Sequence, residues 1–489
     1  MPEIVAVVDP VSTGACLARY LADRGHPVVR VWSDAIPPEV KGLVAAGLEV
    51  DWEATVDHTG DIAATVESLK KLGVDKYILV GSEPGVNLHA DLTTAFGLVP
   101  GDEKAVELQA ARRNKYLQSE TIRAAGLTAV HQALAEEKDQ VETFIAGMVA
   151  SCKKAGIPFK AVVKPVEGAG SDGVSICNTE DEARDAFNKL KGTQNLLGLD
   201  NYQVLCQEYL AGDEYVVDTV SRNGEHKVVA IWKYDKRDYH GKPVVYHGME
   251  LLNVESDPEL NEKLVKYIMG VLGALGITDG AIHSEIMSTK RGPVLVESNC
   301  RLHGGEGIWL PIAQASLGYT MVSALYDATF DEAAFAKLPM RPLNPMLAHG
   351  AWVTVRSPES GVITSVDEGA LATIRGLASF RDEYLAPCLA VGKFVTQTVD
   401  ATTVHGCFNL SAANKADLKK DYDLAQELIN KSLFEFEDAD TSHTGRISQV
   451  LGFGADFEKS PSSKSPPGRG SMWDETAERD SKIAAGPAA

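Results

Sequence analysis

Apolar residues along this chain follow two periodicities, and their order predicts an α/β protein. Residues 3–8 and 27–33 are strand-like apolar runs that flank a helix-like segment, and a helix-like run at 61–72 leads to another strand. Such strand–helix–strand units predict an open parallel sheet near the N-terminus. Residues 103–125 keep the helical period throughout, which predicts one long helix.

The second half of the chain changes character. Residues 257–276 predict a helix, and from about residue 346 short strands with frequent glycine predict a β-rich subdomain that a helix at 417–434 closes. Residues 456–489 are rich in serine, proline, glycine and charge, with few apolar residues. That composition predicts a disordered tail.

Two carboxylates lie on neighbouring strand-like runs between residues 281 and 301. Glu285 is in the first run, and Glu297 and Asn299 alternate on one face of the second. Gly292 lies in the turn-like stretch between the runs, so a hairpin would bring both glutamates together. Adjacent carboxylates repel unless a cation lies between them, and oxygen ligands suit Mg²⁺. Arg301, on the same face, could stabilise phosphoryl charge, although a solvated hairpin with surface charges remains the alternative.

A glycine-rich segment follows an apolar strand near residue 164. Glycines at 168, 170 and 173 give the backbone freedom to wrap a phosphate, with amide N–H groups directed inward. Lys164 precedes them in a strand where an unpaired charge would be costly, and a phosphate is the simplest partner for it. An ordinary hairpin turn is the alternative interpretation.

A strand–hinge–strand follows at residues 203–220. Glu208 ends its first strand and Glu214 begins the second. Such a hinge can offer backbone groups to an adenine and a carboxylate to a ribose, or it can be a plain hairpin with edge carboxylates. The turns after the N-terminal strands supply further candidates for substrate contact, equally explained as turn formers and helix caps. These are Ser12, Thr13, Ser82 and Glu83.

Composition narrows the class of protein. The 489 residues are 44% hydrophobic and 24% charged, which predicts a globular chain of two to four domains. Seven scattered cysteines without CxxC pairs predict reduced thiols, no zinc site of the usual spacing and a cytoplasmic location. The formal net charge of −21 disfavours binding to nucleic acid or anionic membranes. We expect neither a transmembrane helix nor a secretory signal.

The order of these motifs is more specific than any one of them. Arg113-Asn114-Lys115, the glycine-rich loop, QEYLAGDEYVVD, HSEIM and VESNCR occur in sequence. In that order they resemble the ATP-grasp superfamily, and within it the carboxylate–amine ligases of the L-amino-acid ligase and carnosine-synthase type. The resemblance implies an ATP-grasp fold with an N-terminal open parallel α/β domain and a β-rich C-terminal subdomain. We expect domains at 1–105, 106–330 with a lid subdomain near 125–212, and 331–455.

The resemblance also implies roles for residues that match the superfamily's motifs. Phosphate contacts are expected from Lys115, Lys164, Gly168, Gly170, Ser171 and Gly173. Adenine would lie against Glu208, Tyr209 and Leu210, and ribose against Glu214. Mg²⁺, with Mn²⁺ as a substitute, would be held by Glu285, Glu297 and Asn299. Arg301, Asn299 and His303 are the expected catalytic residues, with Arg301 on the transferred phosphoryl group and the substrate carboxylate.

Some positions are less defined. Cys300 stands where the superfamily commonly has proline, which leaves the backbone there less restrained. His303 could reach a substrate or be a structural histidine, and His283 could border the metal. Lys233 could bind phosphate or be solvated, and we expect Lys236 to be solvated. His247 is a further secondary candidate, and the cysteines are expected to be small core residues.

The implied reaction is phosphoryl transfer from ATP to a carboxylate, followed by attack of an amine on the acyl phosphate. Small-molecule carboxylates and amines are the expected partners, and a homodimer is left open. A carboxylase-type or purine-pathway ATP-grasp enzyme is one alternative. A nucleotide-binding protein without catalysis is another, although Glu285, Glu297, Asn299 and Arg301 together argue against it.

Overall fold

Four β-sheets and their covering helices make up the computed structural model. It describes residues 2–36, 41, 50–99, 101, 103–168, 170–195 and 198–437. The tail expected at 456–489 and the end of the C-terminal subdomain expected at 455 lie outside the described residues. Within those ranges, no helix has the length and apolar character needed to cross a bilayer.

The N-terminal sheet is parallel, as the strand–helix–strand pattern predicts. Its strands have the order β3-β2-β1-β4, and every pairing between them is parallel. The strands are β1 Val5–Val8, β2 Val28–Trp32, β3 Trp52–Asp57 and β4 Ile78–Val80, and the helices are α1 Thr13–Ala22, α2 Ile62–Lys71 and α3 Val86–Ala95. All four residues of β1 are buried, because this central strand is covered on both faces.

The prediction of a single long helix over 103–125 is wrong, because the helical conformation is interrupted after Ala111. Two helices form instead, α4 Glu103–Ala111 and α5 Lys115–Ala124. Asn114 leaves the helical conformation, and its side chain accepts a hydrogen bond from the amide of Leu117 at 3.0 Å. Asparagine is a strong N-cap residue, so it begins a new helix at Lys115 although the apolar period continues.

A small antiparallel sheet follows, in the order β5-β8-β6-β7. Two helices pack on it through a cluster that includes Val141, Ile145 and Phe187. The elements are β5 Gln132–Ala135, α6 Lys138–Ala155, β6 Ala161–Pro165, β7 Ser175–Cys177, α7 Glu180–Leu190 and β8 Val204–Glu208. The glycine-rich loop joins β6 to β7.

The largest sheet has eight strands, all antiparallel, in the order β13-β12-β9-β10-β11-β14-β18-β16. Its first five strands in the chain are β9 Gly212–Arg222, β10 Glu225–Tyr239, β11 Lys242–Leu251, β12 Gly280–Thr289 and β13 Gly292–Asn299. The later three are β14 His349–Thr354, β16 Phe380–Leu385 and β18 Gly406–Ala412. The sheet therefore continues across the boundary expected at residue 331, and the domain limits stay predictions.

Both faces of the eight-stranded sheet are covered. Val216 and Trp232 belong to a core that includes Leu17 of α1. Their neighbours Val217 and Ile231 belong to a second core on the opposite side. The helices that cover these faces are α8 Pro258–Ala274, α9 Leu310–Leu317, α10 Met321–Phe330 and α11 Glu332–Lys337. Alternate side chains of a strand point to opposite faces, so neighbouring residues of β9 and β10 contribute to different cores.

The C-terminal part adds a three-stranded sheet and two helices. The sheet order is β17-β15-β19, with β15 Gly361–Val366, β17 Phe394–Val395 and β19 Phe434–Phe436. The helices are α12 Glu368–Arg375 and α13 Lys415–Asn430. Arg356 fastens α13 to the large sheet. Its guanidinium is fully buried and donates to the oxygens of Thr354, His247, Gln426 and Asn430 at 2.8 to 3.2 Å.

We expect Arg356→Met to lower the free energy of unfolding by about 3 kcal/mol, because several buried oxygens would lose their donor. Urea titration followed by circular dichroism measures the loss. The matched control is Arg341→Met, whose side chain is 50% exposed and pairs with Glu262. We expect that variant to lose about 0–1 kcal/mol. Equal losses in the two variants would show that the buried contacts do not fasten α13.

Candidate active site

The hairpin expected between Glu285 and Glu297 forms from β12 and β13. Glu285 lies directly opposite Glu297, and His283 lies opposite Asn299. Directly opposed residues of an antiparallel pair project from the same face, so all four side chains share one side of the sheet. The Asn299 amide donates to Glu297 Oε1 at 3.2 Å. Three oxygen-bearing side chains therefore meet where a metal ion was expected.

Two lysines lie between these carboxylates and the glycine-rich loop. Lys115 Nζ is 2.7 Å from Glu297 Oε2 and donates to the carbonyl of Gly168 at 3.0 Å. Lys164 is buried on β6, as its apolar surroundings in the sequence indicate. Burial, aided by the positive charge of Lys115, lowers the pKa of Lys164 to about 8, although Glu297 opposes this shift.

One pocket of about 810 Å³ collects most of the expected ligand residues. Its lining includes Lys115, Lys164, Gly168, Gly170, Ser171, Gly173, Glu208, Tyr209, Leu210, Glu214, Glu285 and Glu297. Asn299, Arg301 and His303 are not among its described lining residues. The pocket lies between the small antiparallel sheet and the large sheet, so elements far apart in the chain must pack together to form it.

Glu208 is already engaged by protein groups. Its Oε1 accepts from the amide of His131 at 2.7 Å, and its Oε2 accepts from Arg291 at 3.1 Å. Lys160 Nζ lies over the Tyr209 ring, 3.8 Å from the ring centroid. These contacts hold the end of β8 in place at the pocket wall, and they occupy part of the hydrogen-bonding capacity of the Glu208 carboxylate.

Lys236 is not solvated, and the sequence-based expectation for it is wrong. Its ammonium contacts both oxygens of Glu214 at 2.7 Å and lies 4.4 Å from the Tyr234 ring centroid and 4.3 Å from that of Tyr246. Burial opposes its charge, but attraction to Glu214 raises the pKa of Lys236 overall. Lys236 follows Tyr234 by two positions on β10, so strand alternation was the available signal that the two side chains lie together, although a bulge separates Asp235 from Lys236.

Glu214 and Glu285 are near neighbours beneath this lysine. Burial raises the pKa of Glu214, and the negative charge of Glu285 adds to that effect while Lys236 opposes it. Tyr234 donates its hydroxyl hydrogen bond to Glu285 Oε1 at 3.1 Å. Glu285 thus accepts a hydrogen bond from the Tyr234 hydroxyl, and its Oε1 also lies 3.6 Å from His283 Nε2.

Arg301 is held by the N-terminal part of the chain. Its Nε donates to Glu83 Oε2 at 2.7 Å, and Glu83 also forms an ion pair with Arg113. Burial alone would raise the pKa of Glu83, but the charges of Arg301, Arg113 and Lys115 keep it below the ordinary value. Glu83, offered by the sequence as a substrate contact or a helix cap, is instead the carboxylate that positions Arg301.

His303 lies in the protein interior rather than at the pocket surface. Its Nδ1 bonds Asp218 Oδ2 at 2.9 Å, and its ring stacks on Trp309 with centroids 5.1 Å apart. Asp218 also accepts from His283 Nδ1 at 3.0 Å and from Trp232 at 2.9 Å. The ligand atoms of Asp218, His283 and His303 lie within 4.8 Å of one another.

Those contacts account for the Asp218 cluster without a metal. Both histidines direct Nδ1 at Asp218, as a protonated ring nitrogen does towards a carboxylate. Burial would lower the pKa of His283, but the hydrogen bonds to Asp218 and Glu285 raise it to about 9. Of the secondary candidates, His247 is buried against Gln426, and Lys233 pairs with Asp213 at the surface at 2.8 Å.

The C-terminal part contributes a wall that the sequence analysis missed. Val399 and Asp400 line the pocket, and Thr402 lies against the glycine-rich loop. Gly170 has φ +66°, and a Cβ there would lie 2.7 Å from the Thr402 methyl carbon. Only glycine fits this contact without displacement, and no local signal near residue 400 marks its proximity to residue 170.

Comparisons with known proteins identify the family of this chain. Residues 157–309 match the model of a protein family described as "ATP-grasp domain". Dapdiamide A synthase from Enterobacter agglomerans is 30% identical over 420 residues, which cover 86% of this chain and 94% of that protein. An uncharacterized protein of Sinorhizobium fredii is 27% identical over 292 residues, covering 58% of this chain and 54% of that protein.

Two solved structures share the fold. An L-amino acid ligase from Bacillus licheniformis superposes with a TM-score of 0.65 at 17% identity, covering 89% of this chain and 99% of that chain. A carboxyaminoimidazole ribonucleotide synthase from Aspergillus clavatus complexed with ATP superposes with a TM-score of 0.61 at 12% identity, covering 88% and 99%. The long match to the dapdiamide A synthase, together with the pocket, favours neither alternative function. This chain belongs to the ATP-grasp carboxylate–amine ligases, enzymes that use ATP to join a carboxylate to an amine.

Proposed function

We propose that the protein activates the carboxylate of an amino-acid substrate as an acyl phosphate and couples it to the amine of a second substrate. The observation that carries the proposal is the meeting of Lys115 and Lys164 with the opposed Glu285 and Glu297 in one pocket under the glycine-rich loop. The names of the dapdiamide A synthase and the L-amino acid ligase support the substrate class.

The residues present fit a divalent metal ion. Glu285, Glu297 and Asn299 offer only oxygen ligands to such an ion, as Mg²⁺ and Mn²⁺ prefer. The Lys115 ammonium lies 2.7 Å from Glu297 Oε2, which supports the binding of positive charge on this face. A metal held there would neutralise charge on the phosphates of ATP.

The remaining contacts divide between the two ends of the nucleotide. Lys115, Lys164 and the loop of Gly168, Gly170, Ser171 and Gly173 would hold the phosphates. At the other end, the Glu208 strand end and the backbone of Tyr209 and Leu210 would border adenine. Glu214, fixed by Lys236, would accept from the ribose hydroxyls. His303 would act as a positioning residue through Asp218.

The reaction proceeds in two balanced steps. A carboxylate oxygen bonds to the γ-phosphorus as the bond to ADP breaks, and Arg301, fixed by Glu83, orients that carboxylate. The amine nitrogen then bonds to the acyl carbon as the bond from that carbon to the phosphate oxygen breaks, and the amine proton passes to the leaving phosphate. The loop must exclude water while the acyl phosphate exists. All seven cysteines are free thiols, in agreement with a cytoplasmic setting.

We expect ADP and phosphate release from ATP and Mg²⁺ only when a suitable pair of amino acids is offered together. A panel of the standard amino acids, tested singly and in pairs with a coupled ADP assay, identifies both substrates. Glu297→Gln should reduce kcat by about 100-fold or more, because the site loses one of the two negative charges that would hold the divalent ion. Glu262→Gln, on the exposed side of α8, is the matched control.

Unchanged turnover in Glu297→Gln would remove the metal assignment. An equal rate of ADP release with and without amino acids, in a protein that still binds ATP, would contradict the ligation of amino acids.

The low pKa of Lys164 predicts a pH dependence of ATP binding. Below a pKa of about 8 the lysine is charged and attracts phosphate, and above it the attraction is lost. The affinity for ATP should therefore fall about tenfold between pH 7 and pH 9. Calorimetric titration measures this, and Lys164→Arg, which stays charged, should show a flat profile. The same decline in Lys164→Arg would mean that another group titrates.

The contact between Gly170 and Thr402 predicts that a substitution at Thr402 can offset the harm done by a substitution at Gly170. Gly170→Ala should lower kcat/KM about tenfold, because its new methyl group meets the Thr402 methyl and a positive φ is strained. Thr402→Ser removes that methyl but keeps the hydroxyl that donates to Asp400 at 2.7 Å. The double variant should recover part of the loss. Thr373→Ser, at an exposed position, should recover none, and equal effects of the two serines would refute the contact.

A further inference from the structure

The loop after Arg301 holds a glutamate in a conformation that glutamate disfavours. Residues 304–307 read Gly-Gly-Glu-Gly, and Glu306 has φ +56° between Gly305 at +72° and Gly307 at +70°. Glycine would adopt the middle position without strain, as it does on both sides. A charged side chain kept in the left-handed region indicates that the carboxylate itself is needed there.

Hydrogen bonds fix this loop against the carboxyl end of β1. The amide of Glu306 donates to Ser12 Oγ at 3.0 Å, and Thr13 Oγ1 donates to the carbonyl of Gly304 at 3.2 Å. Ser12 is itself at φ +54°. In open parallel sheets, ligands bind beyond the carboxyl ends of the strands. The loop therefore presents Glu306 at the edge where the N-terminal sheet would receive a substrate.

The Glu306 carboxylate lacks a cation among the described residues. The side chain is open to solvent, yet enough protein surrounds it that desolvation raises its pKa, with only the Ser12 hydroxyl opposing. Its charge also contributes to the raised pKa values of Cys16 on α1 and Tyr384 on β16, in both of which burial is the larger cause. The Glu306 carboxylate thus lies within electrostatic reach of both α1 and β16.

The position of this loop relates Glu306 to the reacting carboxylate. A Cβ on Gly304 would lie 3.7 Å from Arg301 Nη1, so the loop begins directly against the guanidinium. Glu306 is not among the described residues that line the nucleotide pocket. A substrate whose carboxylate meets Arg301 can therefore extend towards Glu306, away from ATP.

We propose that Glu306 is a specificity-determining residue that binds an ammonium group of the carboxylate-donating substrate. This inference rests on the proposed function and names the class of its first substrate: an amino acid that keeps its own amine protonated. An ammonium group has no lone pair, so ion pairing with Glu306 prevents that amine from attacking an acyl phosphate. The nucleophile is then the amine of the second substrate, which does not contact Glu306.

The test compares amino acids with their deaminated counterparts as carboxylate donors. L-Alanine, L-valine and L-aspartate are paired with propionate, isovalerate and succinate, and ADP release is measured with each standard amino acid as the amine. We expect the wild-type protein to favour the ammonium-bearing donors. Glu306→Gln should reduce that preference about 30-fold, through the KM of the donor, with the KM of ATP unchanged. Glu306→Asp should keep part of it.

Glu306→Gly separates recognition from folding. It relieves the left-handed strain, so its melting temperature should equal or exceed that of the wild type, while the donor preference should fall as in Glu306→Gln. Glu359→Gln, on an exposed loop, is the control. An unchanged preference in both Glu306 variants would overturn the inference while leaving ligation intact.

If no pair of substrates leads to ADP release, that result counts against the proposed function itself. Substrate binding is then measured by calorimetry, which tests the role of Glu306 without requiring turnover. L-Alanine, L-valine and L-aspartate and their deaminated counterparts are titrated into the protein with a non-hydrolysable ATP analogue. Tighter binding of at least one ammonium-bearing probe, lost in Glu306→Gln, would support the inference. Equal or undetectable binding within every pair would overturn it.

Discussion

The compensation of buried negative charge is the constraint on which the active site depends. Glu214, Glu285 and Glu297 lie on three adjacent strands of one sheet, where their mutual repulsion would be large if they were alone. The ammonium of Lys236 compensates the negative charge of Glu214, and that of Lys115 compensates the charge of Glu297. Glu285 accepts a hydrogen bond from Tyr234 and lies close to His283. The charges that would hold a metal and phosphates therefore also determine which segments must pack together.

These compensating groups come from separate segments, and this explains the architecture. Lys115 begins α5 because Asn114 ends the preceding turn, and Lys164 lies on the small sheet that carries the glycine-rich loop. Glu83 brings the N-terminal sheet to Arg301 through an ion pair. Each contact joins two parts of the fold, so the geometry that we propose for phosphoryl transfer is complete only when these parts are assembled.

The order of motifs supplied the expected ligand residues that line the pocket. Local patterns predicted the parallel sheet and the β12–β13 hairpin, because strand alternation and glycine position act over a few residues. They failed where contacts join distant segments. Nothing near Glu83 indicates Arg301, and nothing near Thr402 indicates Gly170, since these pairs are separated by more than 200 residues. The single helix expected through residues 112–114 was wrong for another reason: the apolar periodicity continues across Asn114, which caps the start of a second helix.

The eight-stranded sheet has a consequence for modularity. Strands β11 and β14 are hydrogen-bonded neighbours, although the region matched by the ATP-grasp domain ends at residue 309, before β14 begins. A fragment that stopped at residue 330 would expose the edge of β11, with its unpaired backbone groups, to solvent or to another chain. Grafting the catalytic region onto a relative would therefore require the C-terminal strands to travel with it, so natural recombination should preserve them as one inherited unit.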